Sequence, residues 1–186
     1  EVQRLAPYMI RGTDIPVVLD LMIHDIDLVL SFIDSPVKKI EASGVSIMTR
    51  SIDIANARIH FENGSVANIT SSRVAKDKVR KIKLFQQNLY ITIDFLVGLT
   101  EVYRLVDSEK QESSDIISAP IDLEGTQKHI VYEKPNIIKN DALQMELINF
   151  VESIQGAATP IVGGLAGKEA LKVALQIQNK ILEGLK

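Results

Sequence analysis

Early in the chain the hydrophobic positions run almost without a break, through Val17-Val18-Leu19-Asp20-Leu21-Met22-Ile23-His24-Asp25-Ile26-Asp27-Leu28-Val29-Leu30. Asp14 ahead of it suits an N-cap and Pro16 a first helical turn, so a helix is predicted to about Phe32, ending before Asp34-Ser35-Pro36. Before it, Glu1 to Met9 reads as a short extended segment and Arg11-Gly12-Thr13-Asp14 as a loop. From Val37 to about Tyr132 the period changes. Ala55, Ala57, Ile59 and Phe61 alternate with Asn56, Arg58, His60 and Glu62, the two-residue repeat of a strand with one buried face. Asn63-Gly64 then predicts a type I′ hairpin with Ser65 to Arg73 returning. That register sets Ile59 near Asn68 and Arg58 near Ile69, mixing polarity on both faces of the pair.

Further strands are predicted at Val37–Met48, Val79–Phe85, Leu89–Phe95, Leu99–Val106 and Thr126–Tyr132. Short polar connections such as Gln86-Gln87-Asn88 favour antiparallel neighbours, and Lys76-Asp77-Lys78 and Asp107 to Asp115 read as polar loops. Two helices close the chain. Asn140 or Asp141 caps the first, with Leu143, Leu147, Phe150, Val151 and Ile154 in one stripe; the second, Lys168 to about Leu182, aligns Ala170, Ala174, Ile177 and Ile181. Helix, then strands, then helices describes an α+β fold: an open, mainly antiparallel sheet with helices covering one face, in a single domain over residues 1–186.

Composition narrows the classes. A formal charge of -3 over 186 residues leaves no basic footprint, so no nucleic-acid partner is expected. Zero cysteines exclude disulfides and thiolate metal sites and fit a reducing, cytoplasmic setting. No apolar run approaches the roughly 20 residues that span a bilayer, so no membrane role is expected. The chain opens on Glu-Val-Gln-Arg without an initiator Met, which points to a fragment or a processed piece. Gly163-Gly164-Leu165-Ala166-Gly167-Lys168 lacks the spacing of a phosphate loop and has Glu169 where Ser or Thr belongs, so it reads as a helix entry. No Gly-x-Gly-x-x-Gly fingerprint occurs, so no dinucleotide-binding unit lies within this sequence. With His60 and His129 in strand-like surroundings, no metal site is expected.

The chemistry concentrates at Asp20 and His24, four residues apart and hence on one side of a helix, with Asp27 a turn further on. Ionisable groups inside so apolar a run are costly unless paired or facing an opening. His24 is a candidate general acid/base, because an imidazole exchanges protons near neutrality, and Asp20 can orient it or bind a substrate hydroxyl. The competing readings are buried polar groups satisfied by backbone, and metal ligation by Asp20, His24 and Asp27.

Asp20-Leu21-Met22-Ile23-His24-Asp25-Ile26-Asp27 resembles the Asp-x-x-x-His-Asp-x-Asp signature of the Gfo/Idh/MocA oxidoreductases. The likeness continues through Asp53 to Gly64, Thr70-Ser71-Ser72-Arg73, Tyr90 to Phe95, Ala142 to Glu146 and the Gly-Lys-Glu-Ala-Leu helix entry. It implies a C-terminal, substrate-binding and oligomerising domain of an NAD- or NADP-dependent enzyme acting on a sugar or nucleotide sugar, with the cofactor bound mainly by a preceding domain. It also implies His24 as proton acceptor, Asp20 as hydroxyl-binding and His-positioning carboxylate, and a homodimer or homotetramer through the sheet face. The family's catalytic lysine belongs to a Glu-Lys-Pro ahead of the histidine. Glu133-Lys134-Pro135 comes long after it and reads as a strand exit with no catalytic role. Arg11-Gly12-Thr13-Asp14 and the helix wording look most like the branch acting on UDP-N-acetylhexosamines, and Arg4, Arg11 and Asp27 become candidates for substrate contacts. The alternative from another class is a non-catalytic interaction and oligomerisation domain.

Overall fold

The computed structural model describes residues 1–10, 13–107, 117–123, 125–137 and 140–185, in two compact units: one of residues 2–79 and 140–186, the other of residue 1 with residues 80–139. In the first unit β1 (Val2–Leu5) leads to a π-helical turn (Val18–Met22) continued by α1 (Ile23–Phe32), then β2 (Val37–Val45), β3 (Ile54–Phe61) and β4 (Val66–Ser72). The sheet order is β2-β3-β4-β1, antiparallel except for the parallel β1–β4 pair.

Helix entry differs from expectation. Asp14 contributes no side-chain cap; its carbonyl accepts the Ser51 hydroxyl at 3.1 Å. The Val17 N–H donates to the Ile52 carbonyl at 2.9 Å, so the neighbouring loop satisfies a donor that a cap would have served. The Pro16 carbonyl then accepts from Leu19 and Asp20, at 2.9 and 3.1 Å, and the Ile23 N–H reaches back five residues to the Val18 carbonyl. That i→i+5 bond widens the turn that carries Asp20.

The hairpin also departs from the expected type. The Gly64 N–H donates to the Phe61 carbonyl at 3.1 Å and the Phe61 N–H to the Ser65 carbonyl at 2.9 Å, making Glu62-Asn63-Gly64 a three-residue loop. Gly64 takes φ +86° while Asn63 stays at negative φ, so a type I′ turn, which needs positive φ at both, is ruled out. The register moves by one residue. Ile59 faces Ala67, Arg58 faces Asn68, and Ala57 faces Ile69. Polarity therefore separates cleanly, with Ala55, Ala57, Ile59, Phe61, Ala67 and Ile69 buried, and Arg58 bonded to Asn68 and Thr70 to Asn56 on the other face.

The buried face carries α1 and α3 (Gly164–Gly184). Met22, Ile26 and Val29 meet Ala170, Val173, Ala174, Ile177 and Ile181 in one core, each fully buried large side chain contributing roughly 1.5–3 kcal/mol. α3 starts a turn before the expected Lys168, with Gly163 as its N-cap, which bears out a helix entry in place of a phosphate loop. α2 (Ala142–Ile154) is capped by Asp141, whose carboxylate accepts the Gln144 N–H at 3.1 Å. Its apolar stripe is not buried: Leu143, Leu147, Phe150, Val151 and Ile154 are all exposed.

The second unit is an antiparallel sheet in the order β5 (Val79–Gln86), β6 (Leu89–Asp94), β7 (Leu99–Asp107), β9 (Thr126–Glu133) and β8 (Ile117–Leu123). Gln87-Asn88 makes the tight β5–β6 turn, with Asn88 at φ 62°. β8 is absent from the sequence expectation. Its Pro120 argues against a strand, and an edge position tolerates it. β9 ends at Glu133, so Lys134-Pro135 is the strand exit expected. Phe85, Tyr90, Tyr103 and Tyr132 form a row across four strands, with ring centroids 5.0, 5.7 and 5.1 Å apart, the first two pairs stacked and the last tilted. The polar stretch following Asp107 lies outside the described residues. Among the described residues no helix is long and apolar enough to cross a membrane.

Candidate functional site

Asp20 sits in the π-helical turn and His24 in the first turn of α1, so the two residues follow each other along one side of the helix. His24 is exposed and Asp20 half-exposed. Neither side chain hydrogen-bonds to another described residue. Both are therefore open to a ligand, unlike a buried polar pair satisfied by backbone.

The third acid behaves differently. Asp25 is only 2% exposed, and its carboxylate takes a bidentate pair from Arg4, Nε to Oδ2 and Nη2 to Oδ1, each at 2.7 Å. Arg4 comes from β1 and is itself 14% exposed. A planar guanidinium clasping a carboxylate on two bonds fixes orientation as well as distance. Because Asp25 follows His24 directly, that pair pins the turn bearing the imidazole. Arg4, a candidate for substrate oxygens, thus has two of its nitrogens committed within the fold.

Asp27, a turn beyond His24, is half-buried and lines a cavity of about 600 Å³ between the end of α1 and the start of α3. Ser31 and Asp34 line it from the α1 side, and Glu169, Lys172 and Gln176 from α3. Lys172 is held by Glu169 at 3.0 Å, so the acidic groups of that cavity outnumber the cation. Arg11 lies outside the described residues. Among the described residues no group of three or more His, Asp or Glu side chains is placed to hold a metal ion. His60 is half-buried on the polar sheet face, 3.7 Å from Glu41.

A second buried polar cluster, to which sequence reasoning gave no role, lies beside the helix entry. Asp53 is fully buried. Its Oδ2 accepts the backbone N–H groups of Ile47, Met48 and Thr49 at 2.8, 2.8 and 2.9 Å, and its Oδ1 accepts the Thr49 hydroxyl at 2.7 Å. Burial alone would raise the carboxyl's pKa, but these four bonds to the charged form outweigh it and hold it down at about 2. Arg73 stands 3.9 Å away and donates to the Ile15 carbonyl, immediately ahead of Pro16. The signal was present in the alternation: Asp53 and Arg73 fall on the same inward parity as Ala55 and Ser71.

Sequence and structure comparisons show what the chain is similar to. A family model of the GFO/IDH/MocA C-terminal domain matches residues 11–92. A UDP-N-acetylglucosamine 3-dehydrogenase of Acidithiobacillus ferrooxidans is 33% identical over 178 residues, which is 96% of this chain and 52% of that protein. The solved structure of UDP-N-acetylglucosamine 3-dehydrogenase GnnA from the same organism superposes with a TM-score of 0.80 at 31% identity, over 97% of this chain and 53% of that one. An NAD-binding protein from Listeria innocua shares the fold at 18% identity, with a TM-score of 0.71 over 98% of this chain and 52% of its own. The chain spans about half the length of the relatives it matches. Over residues 11–92 the chain matches the GFO/IDH/MocA C-terminal domain, and over nearly its whole length it has the fold of the corresponding half of these relatives.

Proposed function

We propose that this chain is the substrate-binding and catalytic half of an NAD(P)-dependent oxidoreductase that oxidises a hydroxyl-bearing carbon of a sugar or nucleotide sugar. A UDP-N-acetylhexosamine, oxidised at its 3-hydroxyl, is the favoured substrate. The observation that carries the reading is the open Asp20–His24 pair on a helix pinned by the Arg4–Asp25 clasp. Likeness to a UDP-N-acetylglucosamine 3-dehydrogenase over nearly the whole chain supports the substrate class.

In this reading the His24 imidazole accepts the hydroxyl proton as the carbon is oxidised, and Asp20 binds the hydroxyl and sets the angle of the ring. A fixed helix matters here because proton transfer needs donor and acceptor within hydrogen-bond reach at the moment of reaction. Nicotinamide binding is assigned to the remainder of a longer protein. Asp27, on the cavity side of α1, is a candidate for polar groups of the substrate beyond the reacting hydroxyl. Self-association as a homodimer or homotetramer through a sheet face belongs to the same reading, supported by the aromatic row across β5, β6, β7 and β9.

The test uses the intact protein that carries this chain, with UDP-N-acetylglucosamine and other nucleotide sugars, following nicotinamide absorbance. His24→Asn is expected to remove most turnover, by about 100-fold or more, while cofactor binding persists. Turnover equal to wild type would sink the assignment.

A further inference from the structure

We propose that Asp53 and Arg73 are positioning residues for the Asp20–His24 pair, acting through the backbone of the helix entry; the inference deepens the function proposed above and rests on it. Three bonds tie the entry to the loop and strands beside it. The Arg73 guanidinium holds the Ile15 carbonyl, the Ser51 hydroxyl holds the Asp14 carbonyl, and the Ile52 carbonyl takes the Val17 N–H. Ser51 and Ile52 are in turn fixed by the turn wrapped around Asp53. The Thr49 hydroxyl links to both sides, donating to Asp53 and accepting the Ser51 N–H at 3.1 Å. Asp53 also accepts the Arg73 backbone N–H through its own carbonyl at 3.0 Å, so carboxylate and guanidinium are locked in one frame.

The path from this frame to the chemistry is short. Ile15 precedes Pro16, whose fixed φ transmits the carbonyl's placement to the next residue. The Pro16 carbonyl is the acceptor for the Asp20 N–H, and His24 lies one turn beyond. A widened turn has no regular α ladder to hold it, so its position depends on such external ties. Two nearly sealed ionic groups, Asp53 at 0% and Arg73 at 7% side-chain exposure, are a costly way to build a loop if packing alone were needed. Their placement at the entry accounts for them. The Arg4–Asp25 clasp fixes the helix after His24, and the Asp53–Arg73 frame fixes it ahead of Asp20.

The experiment measures kcat and KM for the intact protein with UDP-N-acetylglucosamine, for Arg73→Met, Asp53→Asn and Thr49→Val, each alone and combined with His24→Asn. Expected is a loss in kcat of about tenfold or more for Arg73→Met, with KM changed less than about threefold, and a further loss under about twofold when it is added to His24→Asn. Hydrogen exchange at residues 17–23 is expected to quicken in Arg73→Met while α3 stays protected. Should Arg73→Met and Asp53→Asn fail to fold, Thr49→Val, which removes the hydroxyl's bonds to Asp53 and Ser51, carries the same non-additivity at smaller size. Wild-type kcat in a folded variant, or equal losses with and without His24, overturns the positioning role while the proposed function stands. If His24→Asn alone leaves turnover intact, the function falls, and this role with it.

Discussion

Replacing Arg4 by Met tests how the helix is held. The Arg4–Asp25 pair makes two bonds of 2.7 Å at 14% and 2% exposure, so little solvent screens it. Removing the guanidinium leaves a buried carboxylate without its partner, which costs about 3–5 kcal/mol. Asp25→Asn keeps one acceptor and strands the more exposed partner, so about 2 kcal/mol is expected. The double change Arg4→Met with Asp25→Leu removes both charges and fills the space with hydrocarbon, and should fall within about 1 kcal/mol of wild type. Chemical denaturation followed by circular dichroism gives the global value, and hydrogen exchange of α1 amides the local one. Arg4→Met costing under about 1 kcal/mol, or a double variant as costly as the two singles summed, would refute the argument.

Further consequences are testable in the same way. The Asp53 carboxyl, held at about 2, stabilises the fold above its ordinary range, and that contribution, about 2 kcal/mol, is lost as pH falls from about 5 towards 2. Asp53→Asn should flatten this acid limb in pH-dependent unfolding, and an unchanged limb counts against the assignment. A Cβ at Gly44 would meet Ile181 Cγ2 and Ile52 Cγ2 at 2.9 Å, so Gly44→Ala should cost about 1–3 kcal/mol in thermal unfolding. Gly64→Ala meets nothing within 4 Å, yet φ +86° alone should cost about 1–2 kcal/mol; a neutral result would argue against the left-handed loop residue. Tyr103→Glu, in the middle of the aromatic row, is expected to lower the molar mass seen by light scattering, and an unchanged mass would move self-association elsewhere.

What the sequence makes legible is set by how local each decision is. Alternation from Ala55 to Phe61 identified β3 because every second residue faces the core, and the Asp-x-x-x-His spacing placed two groups on one side of a helix whatever its fine geometry. The hairpin register was not legible. Asn63-Gly64 serves a two- or a three-residue loop equally well, and the choice between them rests on which register buries Ile59 against Ala67 instead of against Asn68. Arg4 shows the same limit: a surface arginine and one clasped to a carboxylate twenty-one positions away look alike until the strand pairing is known. α2 marks another. Its amphipathic pattern reports what the helix is suited to meet, and Leu143, Phe150 and Ile154 stay exposed among the described residues.

The wide turn at Val18–Met22 holds one residue more than a regular α-helical turn would. An i→i+5 step amounts to one residue inserted in an α-helical ladder, so deleting a single apolar residue there would let the regular spiral close and leave the flanking segments close to their present phase. Deleting Leu21 would shorten the step from Asp20 to His24 from four residues to three, and residues three apart still neighbour on a helix surface. Chain length in this one turn, independent of side-chain identity, thus sets the spacing between the carboxylate and the imidazole.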